Sequence, residues 1–154
     1  MKITFVFVVS LICMQLFACN KNNEIEQTNN SNNTSNTDTA KMKITIGSAV
    51  FTARLNNNAT ATAFKAMLPM TIRMTALNGN EKYFDLPNSL PSNATNPVTI
   101  QNGDLMLYGS NTLVLFYKAF STSYSYTRIG RIENPSGLAT ALDSGNVTVT
   151  FEAD

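Results

Sequence analysis

Glu81 and Asp85 stand four residues apart in the segment Glu81-Lys82-Tyr83-Phe84-Asp85, so an extended chain carries both carboxyls on one face. Such a pair invites an acid/base reading, and a solvated rim is the plainer one. Five tyrosines, Tyr83, Tyr108, Tyr117, Tyr124 and Tyr126, combine an apolar face with a polar tip, which suits peptide or sugar binding. Taken singly, each also fits a half-buried strand residue. Arg128 and Arg131 are expected on opposite faces of one strand, with Gly130 between them packing against a helix. What is missing matters as much. His is absent, and with it the commonest metal ligand and the commonest general base. The only cysteines, Cys13 and Cys19, lie in the N-terminal stretch. The rest of the chain has no disulfide and no thiolate metal site. Zinc enzymes, Ser-His-Asp hydrolases and Cys-His proteases are excluded, and no cofactor or metal is expected.

Cys19 itself has a clear context. Lys2 supplies a positive charge, and Ile3 to Ile12 is apolar except for Thr4 and Ser10. A charged start, an apolar stretch and a small residue before a cut site make a signal peptide, here residues 1–18. The stretch is too short to span a bilayer, which takes about 20 apolar residues. Leu16-Phe17-Ala18-Cys19 resembles the lipobox of bacterial lipoproteins. That resemblance implies cleavage before Cys19, acyl chains on its thiol and a lipid anchor in a membrane of the cell envelope. The expected place is the outer membrane, facing periplasm or surface. Two or more chains make such an anchor durable, because each buried methylene contributes about 0.8 kcal/mol.

Residues 19–41 read as a tether. Fourteen of the 22 residues from Asn20 to Lys41 are Asn, Ser or Thr, and Ile25 is the only large apolar one. Such a segment buries too little surface to offset the entropy of ordering. Residues 42–154 then form one domain of ordinary size. It holds eight Lys/Arg against seven Asp/Glu. With no basic stripe, nucleic acid is excluded as a partner, and a monomer is expected.

The frame that positions the polar residues is a set of strands. Apolar and polar residues alternate at Met42-Lys43-Ile44-Thr45-Ile46, from Phe51 to Leu55, from Met70 to Ala76, and from Val147 to Phe151. Each is a strand with one face in a core and one toward water. Leu113 to Tyr117 is apolar on both faces and predicts a strand buried on both sides, with Asp104 to Tyr108 as its neighbour and Ser110-Asn111 as the turn. Glu81 to Leu86 is a further strand after the Asn78-Gly79-Asn80 turn. Thr60 to Leu68 is a short helix with Ala61, Phe64, Met67 and Leu68 on one face and Pro69 as its stop. Ser136 is placed to cap a second, in which Leu138, Ala141 and Leu142 face inward before Gly145. Many short strands and two short helices predict an all-β sandwich or barrel.

The order of these pieces, with Gly103-Asp104-Leu105 and then Ile129-Gly130-Arg131-Ile132 followed by Ser136-Gly137-Leu138, resembles the small bacterial cyclophilin-like domains. The resemblance covers nearly all of residues 42–152 and implies a closed barrel of about eight strands with two short helices. Cyclophilins isomerise prolyl bonds. A strand arginine hydrogen-bonds the twisting amide, and a pocket of Phe, Met, Trp and His holds the ring. The barrier is roughly 20 kcal/mol, so the twisted state must be favoured. The strand that should carry the arginine corresponds to Glu81–Asp85, which offers Lys82 instead. The pocket histidine falls near Tyr126, Trp is absent, and Phe116 or Tyr117 stands for the pocket phenylalanine. The resemblance therefore implies the fold without the catalytic set. The candidate ligand groove is Glu81, Lys82, Tyr83, Tyr108, Phe116, Tyr117, Tyr126 and Arg131.

Three functions follow. The favoured one is a membrane-tethered binding or interaction module for a peptide, protein or small molecule. The second is a weak peptidyl-prolyl isomerase. The third, an accessory domain for a redox or envelope partner, rests on similar domains that occur beside flavodoxin-like proteins.

Overall fold

Eight segments of the chain pair edge to edge until no edge is left. The computed structural model describes residues 40–142 and 145–154. The signal peptide, Cys19 and all of the tether but Ala40 and Lys41 lie outside them. In chain order the elements are β1 (Lys41–Ile46), β2 (Ala49–Leu55), α1 (Ala59–Lys65), β3 (Met70–Leu77) and β4 (Glu81–Asp85). Next come β5 (Thr99–Ile100), β6 (Asp104–Tyr108), β7 (Thr112–Phe116), β8 (Phe120–Ser121), β9 (Thr127–Ile132), α2 (Leu138–Leu142) and β10 (Val147–Ala153). All but β5 and β8 form a closed barrel in the order β1-β10-β3-β4-β7-β6-β9-β2, and every neighbouring pair is antiparallel. Closure removes the exposed edges that an open sheet presents. The eight-stranded barrel with two short helices is the architecture that the resemblance implied.

β1 starts at Lys41, one residue before the expected boundary. Lys41 pairs with Arg54 across the sheet, its carbonyl accepts from the Asp154 amide, and its Nζ lies 3.8 Å from Glu133.

The alternating residues do what their period demands. Met42, Ile44, Ala53, Met74, Val149 and Phe151 are among the side chains fully enclosed in one interior core. Each large one contributes roughly 1.5–3 kcal/mol by leaving water. Both helices deliver side chains to the same core. Asn58 caps α1 by accepting from the Ala61 amide at 2.8 Å, and Phe64 meets Phe151 edge to face at 5.7 Å between centroids. α1 ends earlier than its apolar pattern suggested. Met67 and Leu68 donate to carbonyls three residues back, a tightened last turn, since the residue before Pro69 is pushed out of helical geometry. In α2, Leu138 and Leu142 are buried. Its first turn closes on the Gly137 carbonyl, which accepts from Ala141, so Ser136 is not its cap. Ser136 instead donates its amide to the Asn134 side chain at 3.1 Å.

β9 corrects the expectation for its arginines. Leu105 faces Gly130 and Met106 faces Arg128, so Ile129 is an extra residue, a β-bulge. The bulge restores Arg128 and Arg131 to one face, both exposed, on either side of buried Ile129 and Gly130. They converge on Asp104, with Arg131 Nε at 2.8 Å and Arg128 at 3.7 Å. What Gly130 meets most closely is β2 and not the second helix. A Cβ there would stand 2.4 Å from the Arg54 carbonyl oxygen, so only glycine lets β2 and β9 approach.

Candidate functional site

β7 is apolar on both faces because it serves two cores. Leu113, Leu115 and Tyr117 face the barrel interior. Val114 and Phe116 face outward and join Met106, Ile100 and Tyr126 in a second cluster, with Tyr83 and Phe120 packed on it. The two-residue pair β5–β8 holds Ile100 opposite Phe120 at this outer cluster. A bridge between Thr95 and Tyr126 ties the long loop after β4 to the same place.

A cavity of about 450 Å³ opens over this outer cluster. One wall is the outer face of β4, Glu81, Tyr83 and Asp85, the i, i+2, i+4 residues of a strand. Register brings the next row. Tyr83 is opposite Val114 and Asp85 opposite Thr112, and the Thr112 hydroxyl donates to Asp85 at 2.7 Å. The turn before β4 adds Leu77, Asn78 and Asn80. Asn78 and Gly79 both have positive φ, the signature of a tight hairpin turn that Asn and Gly accept most readily. The far wall is aromatic: Tyr108, Phe120, Tyr124 and Tyr126. Tyr108 lies 6.1 Å from Tyr124 at 88° and 5.6 Å from Tyr126 at 51°. Tyr126 then meets Phe116 edge to face at 5.5 Å. Tyr108 and Tyr124 form an exposed rim.

The electrostatics of the groove are one-sided. Glu81 and Asp85 line it, and no Lys or Arg is among the described residues that do. Burial raises the Glu81 carboxyl above its ordinary range, and a hydrogen bond from Asn78 at 3.4 Å partly opposes this. Burial and then the nearby Glu81 charge raise the Tyr126 phenol, with a Thr122 hydrogen bond working the other way. The Asn80 side-chain oxygen is buried with no hydrogen-bond partner among the described residues.

Residues 44–152 match the cyclophilin-like family. The chain belongs to that family. The fold is similar to the solution structure of a hypothetical protein from Archaeoglobus fulgidus, with 20% identity, a TM-score of 0.52, and coverage of 75% of this chain and 95% of that one. At that identity the likeness speaks of fold alone. No curated protein matches the chain.

Within this cyclophilin-like barrel, four of the expected groove residues, Glu81, Tyr83, Tyr108 and Tyr126, come together in the groove. Phe116 lies beneath them in the outer cluster, fully buried. Three do not belong. Lys82 follows Glu81 on the strand and so turns to the other face. It is fully buried, donates to the Gly145 carbonyl at 2.6 Å, and stands 5.5 Å from the Tyr117 ring centroid. Tyr117 follows Phe116 and likewise faces the interior core, where burial and then Glu81 raise its phenol. Arg131 is held at Asp104. Consecutive strand residues cannot share a face, which rules out both the Glu81–Lys82 and the Phe116–Tyr117 pairings. Tyr124 and Asp85, singled out for their chemistry but left out of the groove set, do line it. Phe120, Thr112, Val114, Leu77 and the turn residues Asn78 and Asn80 were not foreseen as lining it. The turn's contiguity with Glu81 was a usable signal; Phe120 gave none.

Proposed function

We propose that this cyclophilin-like domain is a binding module that seats a ligand in its outer groove and does not isomerise prolyl bonds. The observation that carries the reading is the composition of the groove: aromatic walls and two carboxylates, with no guanidinium or ammonium among the described residues that line it. Stabilising a twisted amide takes a donor fixed where charge develops, and removing one such donor typically costs about 10²–10³ in rate. The one cation on β4, Lys82, is occupied on the opposite face. The aromatic walls need no such donor to hold a ligand.

The test is NMR exchange spectroscopy on a set of Xaa-Pro peptides at high protein concentration. No acceleration of cis/trans exchange is expected, with peptide-induced shifts confined to Tyr83, Tyr108 and Tyr126. Exchange as fast as with an authentic cyclophilin, lost in Lys82→Ala, would promote the isomerase reading.

The same proposal places the module at a membrane of the cell envelope, through lipid on Cys19, by the Leu-x-Ala-Cys context of that residue. Labelled palmitate is expected in the wild type and absent from Cys19→Ser. Equal labelling of the two would remove the anchor from the proposal.

A further inference from the structure

We infer that the outer groove takes a basic side chain of a peptide, its guanidinium or ammonium seated between the tyrosine wall and the carboxylates of Glu81 and Asp85. The inference rests on the groove being the ligand site and adds the chemistry of what it holds.

Three observations converge. The first is charge. Among the described residues two carboxylates line the cavity and no cationic side chain does, so an anion is repelled and a cation is drawn in. The second is hydrogen-bond supply. A carboxylate accepts at about four lone-pair sites, yet the Glu81 side chain receives one bond, from Asn78 at 3.4 Å, longer than a good bond. Asp85 receives one from Thr112. Among the described residues both carboxylates thus keep unused acceptor capacity, and a guanidinium carries five N–H donors and no acceptor. The third is the aromatic wall. Tyr124 and Tyr108 stand nearly perpendicular at 88°, with Tyr126 tilted beside them. Ring faces attract a cation within about 6 Å of their centroids, and the apolar stem of Arg or Lys lies along such a wall while its head reaches the acids. A cavity of about 450 Å³ with an exposed aromatic rim has room for one side chain and its flanking backbone.

The same barrel shows this pairing built from its own residues: buried Asp104 is met by Arg131 at 2.8 Å. Among the described residues Glu81 has no such internal partner.

The experiment uses the full chain in detergent, followed by calorimetry and by intrinsic fluorescence. Trp is absent, so emission comes from tyrosine, and four of the five tyrosines line the groove. The probes are blocked Gly-Arg-Gly, its neutral citrulline isostere, blocked Gly-Pro-Gly, and choline. The arginine peptide is expected to bind saturably and the citrulline peptide about tenfold more weakly, the scale of one lost charged hydrogen bond. Glu81→Gln is expected to bring the arginine peptide down to about the affinity of the citrulline peptide. Asp85→Asn, at an exposed position, is expected to reduce the preference in part. Equal binding of the arginine and citrulline peptides overturns the inference, and so does a preference that survives both substitutions. Choline binding as tightly as the arginine peptide assigns the groove to a free organic cation and overturns the peptide assignment. If only Gly-Pro-Gly moves the tyrosine emission, the cation is wrong and the binding groove stands. If no probe moves it, the groove reading falls as well.

Discussion

Asp104 and Glu81 are both buried carboxylates on the wall of one barrel, 1% and 8% exposed, and their surroundings could hardly differ more. Asp104 accepts from the Gln101 amide at 2.9 Å and from Arg131 at 2.8 Å, with Arg128 at 3.7 Å. Glu81 accepts one long bond from Asn78 and faces an open cavity. A buried charge is tolerated when it is paired and hydrogen-bonded. Asp104 meets that condition from within and acts as a clamp between β6 and β9. Glu81 does not, and burial accordingly favours its neutral form. The contrast separates a carboxylate that holds the fold together from one the fold leaves available.

Breaking the clamp at its origin is the severest test. Gly130→Ala would push a methyl into the Arg54 carbonyl, at 2.4 Å, and disturb the bulge that turns both arginines toward Asp104. A loss of about 3 kcal/mol is expected, read as a lower urea midpoint; an unchanged midpoint would show that the bulge relaxes freely. Asp104→Ala comes next. It removes the acceptor of the Gln101 amide and Arg131 bonds and the counter-charge near Arg128, and a loss of about 2 kcal/mol is expected, since both arginines reach water. A cost under about 0.5 kcal/mol would erase the distinction between the two acids.

Glu81→Gln is the smallest and has the opposite sense. Its effect at neutral pH is expected to be within about 0.5 kcal/mol, with the variant no less stable than the wild type. The pH dependence sharpens this. Burial raises the Glu81 carboxyl above its ordinary value of 4.5, so the folded state holds its proton more tightly than the unfolded chain. The stability this supplies is complete below pH 4.5 and is lost as pH rises through the raised value. Thermal melts from pH 4 to pH 7 are expected to show that downward contribution in the wild type and not in Glu81→Gln. Parallel curves would place Glu81 in an environment no different from water.

Much of the fold was legible in the chain because alternation is local. Met42-Lys43-Ile44-Thr45-Ile46 carries its own evidence of one wet and one dry face, and Leu113 to Tyr117 announced burial on both. The site was legible only in part. The i, i+2, i+4 row of Glu81, Tyr83 and Asp85 follows from period two alone. The same parity, applied one step further, turns Lys82 and Tyr117 away. β5 and β8, two residues each, are too short to show any period, so Phe120 and the covering of the outer cluster could not be read.

Alternation, turn positions and residue types, among them the lack of His and of any cysteine after Cys19, are written in the chain itself. Register and parity between strands distant in sequence are not, and they come from the folded barrel. One inserted residue at Ile129 reverses the face of an arginine, and closure of the barrel sets Val114 and Thr112 opposite Tyr83 and Asp85. These relations depend on pairings dozens of residues apart, whose energies belong to the folded sheet and to no single segment of the chain.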